Sequence, residues 1–75
     1  MNELTKEYWE DYQWANENRT ELAKRYPNRW VAIVNKEVLG VGEDIKTVEL
    51  ESSRKTERAE YPILFIEKGI HVYKG

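Results

Sequence analysis

Trp30-Val31-Ala32-Ile33-Val34 is apolar throughout and largely β-branched, and after a break of three polar residues the chain continues as Val38-Leu39-Gly40-Val41. Five apolar residues without alternation read as a strand covered on both faces. Asn35-Lys36 is short enough for a two-residue hairpin connection, and Asn takes φ > 0 readily, as a type I′ turn demands at both central positions. Val38 to Val41 is then the returning arm. Gly42 ends that strand, and Asp44 is a good N-cap for the segment that follows. A hairpin with a buried first arm needs cover on both sides, and the rest of the chain has to supply it.

The N-terminal third supplies one cover. At 100° per residue, Leu4, Tyr8, Tyr12, Ala15, Leu22 and Tyr26 fall within roughly 80° of one another. Acidic residues come early (Glu3, Glu7, Glu10, Asp11) and basic ones late (Lys24, Arg25), which suits one helix dipole. Pro27 stops the helix. Asn18-Arg19-Thr20-Glu21 reads as a capping box that starts a fresh helix. The expectation is helix from about 3 to 26, kinked or broken near 16 to 19. Over residues 45 to 58, Val48, Leu50 and Ser52 alternate as in a strand, but Ile45 and Val48 fit a helix. The cap at Asp44 and a length suited to a crossover favour helix.

Ile63 to Ile66 reads as a buried strand with Pro62 at its first position. Lys68-Gly69 reads as a tight turn and Ile70 to Tyr73 as an edge strand. The fold expected is a single α+β domain over 1–75, in the order α-β-β-α-β-β. A long N-terminal helix, broken or not, packs on a three- to four-stranded mixed or antiparallel sheet of strand order 2-1-3-4. One crossover helix, right-handed, joins the second strand to the third.

Seventy-five residues make one domain at most. A domain of this size buries only about 60% of its unfolded surface, so it is marginal on its own. There is no Cys and a single His, His71, which excludes disulfides, thiolate metal sites and His-rich clusters. Self-association is the stabilising device left open. Twelve basic residues against fourteen acidic ones argue against a dedicated polyanion binder. No apolar run approaches the ~20 residues of a membrane span, and Met1-Asn2-Glu3-Leu4 does not open a signal peptide. The expected location is cytoplasmic, with no membrane partner.

Chemistry finds little support. Gly40-Val41-Gly42 is not a dinucleotide fingerprint, because Ile45 takes the place of the third glycine. Glu43 and Asp44 would repel a phosphate there, and they read as dipole partner and cap rather than as an acid–base pair. His71 is a lone residue on a short strand, and Ser52 and Ser53 lack a nucleophile elbow. No catalytic residue, metal site, cofactor or small-molecule substrate is expected. Two surfaces stand out instead. Trp9 and Trp14 lie about 100° and 120° off the apolar stripe on opposite sides, which makes them candidates for a protein interface. A kink at 16–19 would alternatively turn Trp14 inward. Arg19, Lys24, Arg25 and Arg29 lie near Tyr26 and Trp30, a basic–aromatic mixture that could hold a nucleic-acid strand. The same residues also read as an ordinary basic helix end with its aromatics in the core.

Trp30-Val31-Ala32-Ile33, Val38, Gly42-Glu43-Asp44 and Pro62, preceded by a helix ending at Tyr26, resemble a family of small prokaryotic proteins known as domain of unknown function 5678. Asn28 and Lys36 stand where that family's pattern has glycine. The resemblance implies a fold and a length but no activity. More distantly, residues 38–66 resemble HicB-type antitoxins, in which a strand ending in Gly-x-Asp feeds a helix and a closing strand. That likeness implies a toxin partner. The leading expectation is a non-enzymatic interaction module that binds itself or another protein. The alternatives are nucleic-acid binding through residues 19–30 and an antitoxin-like role.

Overall fold

The computed structural model describes residues 5–68. Helix α1 (Lys6–Glu17) and helix α2 (Arg19–Arg25) precede strands β1 (Arg29–Ile33) and β2 (Val38–Gly42), helix α3 (Ile45–Ser53) and strand β3 (Ile63–Ile66). The class is α+β, with three helices and a three-stranded antiparallel sheet of order β2-β1-β3 among the described residues. Leu4 of the apolar stripe, the Lys68-Gly69 turn with its Gly69, and the edge strand Ile70–Tyr73 with His71 lie outside the described residues. No helix described here is long and apolar enough to cross a membrane.

The long N-terminal helix is two helices. Thr5 opens α1 by accepting the Tyr8 N–H at 3.1 Å, so the described helix starts at 6 rather than 3. The break falls at Asn18, inside the expected window, but the expected capping box does not form. The Asn18 side chain makes no cap bond to α2. Its amide instead donates backwards to the Trp14 carbonyl at 2.9 Å, closing the end of α1. Asn can serve either terminus, and here the C-terminal carbonyl wins.

The hairpin turn is as the residues imply. Val34 and Glu37 exchange backbone bonds of 3.0 and 3.2 Å across Asn35-Lys36, whose φ values are 57° and 60°. Asn28 also sits in the left-handed region, with φ 58°. Its side-chain oxygen accepts the Lys68 N–H at 3.2 Å, so Asn does work there that Gly could not. Among the described residues the Lys36 side chain makes no such bond, and its Cβ costs about 1 kcal/mol in the left-handed region. Lys36→Gly should therefore raise stability by roughly 0.5 kcal/mol after the added freedom of the unfolded chain is set against the relief. Thermal melts should show a rise of a few degrees. A variant melting below the parent would contradict the two-residue turn.

Strand β1 is central, and its Val31, Ala32 and Ile33 are wholly buried. Directly paired residues share a face. Val31 pairs with Val41 and Leu64, and Ile33 with Val38. These residues meet Ala15 and Leu22 in the main core, so α1 and α2 cover that face. Ala32 pairs with Gly40 and Ile63, and Trp30 with Gly42 and Phe65, on the other face. Helix α3 covers that second face over β2 and β1. Asp44 caps α3 by accepting the Thr47 N–H at 3.0 Å. The helix ends at Ser53, short of the expected 58, because past Ser52 the chain offers no further apolar residue at helical spacing until Ala59.

The sheet register slips once. Ala32 faces Gly40 but Ile33 faces Val38, so Leu39 is an extra residue and forms a bulge. Strand β3 lies beside β1, as the expected order has it, while the strand expected on its other side falls outside the described residues. Phe65 is 38% exposed. Its apolar character on this face is answered by Trp30, whose ring meets Phe65 edge-on at 5.2 Å.

Candidate interaction surface

Helix α1 does not present its apolar stripe squarely to the sheet. Its buried residues are Asp11 and Ala15, with Tyr8, Tyr12, Trp14 and Asn18 half-buried. At 100° per residue, the inward face is turned by roughly 40° from the centre of the apolar stripe toward Trp14. That rotation separates the two tryptophans. Trp14 reaches the edge of the core and packs against it, so it is not the free contact surface its off-stripe position suggests. Trp9 is carried outward and is 53% exposed. It stands between Tyr8 and Tyr12, with ring centroids 5.2 and 5.9 Å away and both contacts edge-to-face.

Asp11 faces inward with Ala15. It is 2% exposed. Its Oδ1 accepts the Lys36 N–H at 2.9 Å, and its Oδ2 accepts the Asn35 N–H at 3.2 Å. The Arg58 guanidinium reaches the same Oδ2 at 3.0 Å. One carboxylate thus ties α1, the left-handed turn and the segment after α3. Sequence reasoning places Asp11 only as an early acid on a helix, since its partners lie 24, 25 and 47 residues away.

Three of the four basic residues are engaged by neighbouring side chains. Arg25 is paired with Glu21 at 3.2 Å and Arg29 with Glu43 at 3.4 Å. Arg19 donates to Asn16 Oδ1 at 2.9 Å, and Lys24 is exposed. Tyr26 packs against the core under α1 and α2, whereas Trp30 lies on the opposite face of the sheet beside Phe65. The two aromatics of the expected strand-binding surface therefore lie on opposite faces of the sheet.

The glycines serve packing. A Cβ on Gly40 would run into Ser52 Oγ, and one on Gly42 would come within 2.8 Å of the Val48 side chain. Both glycines let α3 lie close on β2. Among the described residues no group of three His, Asp or Glu side chains is placed to hold a metal ion. Burial, with Glu49 nearby, raises the Tyr61 phenol above its ordinary pKa, and its hydroxyl donates to the Glu49 carbonyl at 3.4 Å.

No curated protein and no solved structure matches the chain. A family model does match, over residues 21–69, and it is described as a family of unknown function, DUF5678. The matched span runs from within α2 through the hairpin, α3 and β3, and it includes Asn28, Lys36, Asp44, Arg58 and Pro62. Trp9, Asp11 and Trp14 precede it. Since the match covers more than half of the chain, this protein belongs to the DUF5678 family.

Proposed function

We propose that the chain is a non-enzymatic, cytoplasmic protein-interaction module that self-associates. The observation that carries this reading is Trp9, more than half exposed on the outer side of α1 and buttressed by two tyrosines. A large aromatic held in one orientation gives up little side-chain freedom on binding, which is why Trp is frequent among interface hot spots. Small domains with marginal cores also gain most from a second copy. Sedimentation velocity over a range of concentrations tests the reading. A reversible dimer is expected, and Trp9→Ala should weaken it by about 2 kcal/mol with the fold retained. A parent protein that stays monomeric at high concentration would overturn self-association.

The other two readings give different results in the same purification. Nucleic-acid binding through Arg19, Lys24, Arg25 and Arg29 predicts co-purifying nucleic acid, seen in the ultraviolet absorbance ratio. A HicB-like role predicts a mixed complex with a toxin and no dimer.

A further inference from the structure

We infer that self-association is isologous and antiparallel, with α1 of each copy lying along α2 of the other. This rests on the self-association proposed above and adds its geometry. The two helices follow one another across the single residue Asn18, and α-type backbone bonds flank the break, Asn18 N–H to Trp14 at 3.0 Å and Leu22 N–H to Asn18 at 2.9 Å. Their charges are segregated. Asp11 is buried against Arg58, so the exposed charges of α1 are Lys6 against Glu7, Glu10 and Glu17, a net −2. The exposed charges of α2 are Arg19, Lys24 and Arg25 against Glu21, a net +2. The outer ridge is a dipole of opposite, equal halves.

A two-fold axis across such a ridge sets each acidic half on a basic half, twice per dimer, and satisfies both ends at once. A parallel pairing sets like on like. Complementarity of this kind selects register and partner, and a two-fold contact is the commonest closed symmetry of homo-oligomers. Trp9 belongs to the acidic half. In the antiparallel arrangement it faces α2 of the second copy, where Lys24 offers a long aliphatic stem and a cation to an aromatic face.

Charge reversal tests the geometry. Glu7→Lys with Glu10→Lys makes both halves of the ridge basic. Lys24→Glu with Arg25→Glu makes both acidic. Sedimentation should show each double variant dimerising about tenfold or more weakly than the parent. An equimolar mixture of the two should recover a heterodimer near parental affinity, because every acidic half again meets a basic one. Recovery also shows that both variants fold. The parent dimer should weaken between low salt and 1 M NaCl, a readout that uses no variant. A parent that is monomeric throughout overturns both the geometry and self-association. A parent dimer indifferent to the reversals, or variants that weaken but do not recover on mixing, overturns the antiparallel geometry alone and moves the contact to another face.

Discussion

Asp11→Asn should lower the unfolding free energy by about 3 kcal/mol, the largest loss expected from any single conservative change in this chain. Breaking a buried ion pair typically costs about 3–5 kcal/mol, because the remaining charge keeps its desolvation penalty without its partner. The lower end applies here, since the Arg58 side chain is 22% exposed and can turn part of its guanidinium to water. The amide that replaces the carboxylate also presents a donor where three donors converge, from Asn35, Lys36 and Arg58. At least one of them loses its acceptor. A chain of this length has roughly 4–11 kcal/mol of stability in total, so the variant should melt roughly 10–20 °C lower. Urea denaturation of Asp11→Ala, Arg58→Ala and the double variant should give a coupling energy of about 1–3 kcal/mol. Midpoints for Asp11→Asn within experimental error of the parent would mean that the carboxylate does not hold the turn.

The Asp11 network also marks where the sequence stops being legible. Local grammar was readable. Asp44 and Thr47 form a cap within four residues, Asn35-Lys36 dictates a hairpin by its length and its Asn, and Pro27 bounds α2. Each signal sits beside the structure it specifies. The apolar runs identified β1 and β3 as strands for the same reason, and the helix break was confined to four residues. Asp11 has no such local signature. A carboxylate near a helix start satisfies the dipole rule equally well whether it faces water or a turn elsewhere in the chain, and the inward face that buries Asp11 also half-buries Trp14 and leaves Trp9 exposed. Asn18 failed differently. A capping-box pattern names a donor to be satisfied, but the same side chain instead adds a second bond to the Trp14 carbonyl, which already accepts the Asn18 backbone N–H. The charge division between α1 and α2 was visible as composition and explained by a single helix dipole. Only the break at Asn18 and the burial of Asp11 turn it into a property of the outer surface.

Gly40→Ala should cost about 2 kcal/mol, and Ser52→Ala should recover the loss. The glycine brings β2 so close to α3 that an added methyl falls on Ser52 Oγ, although it stays 3.6 Å from Ser52 Cβ and 3.8 Å from Val48. The conflict is therefore with one atom, the hydroxyl. Ser52 is 0% exposed, and its Oγ has no hydrogen-bond partner among the described residues. Rotating it away from the new methyl drives it into packed side chains on α3's inner face, where overpacking costs roughly 1–3 kcal/mol. Deleting the hydroxyl alone removes an unpartnered buried oxygen and puts the best helix former inside α3. Ser52→Ala should thus stabilise the parent by about 1 kcal/mol. In the double variant the methyl on residue 40 occupies the space that the oxygen leaves, in ordinary contact with the β-carbon of residue 52. Its stability should equal or exceed that of the parent, which makes the two changes strongly non-additive. Equal cost of Gly40→Ala with and without the Ser52 hydroxyl would show that α3 does not rest on Gly40. The second layer over β1 and β2 would then have to be drawn farther from the sheet.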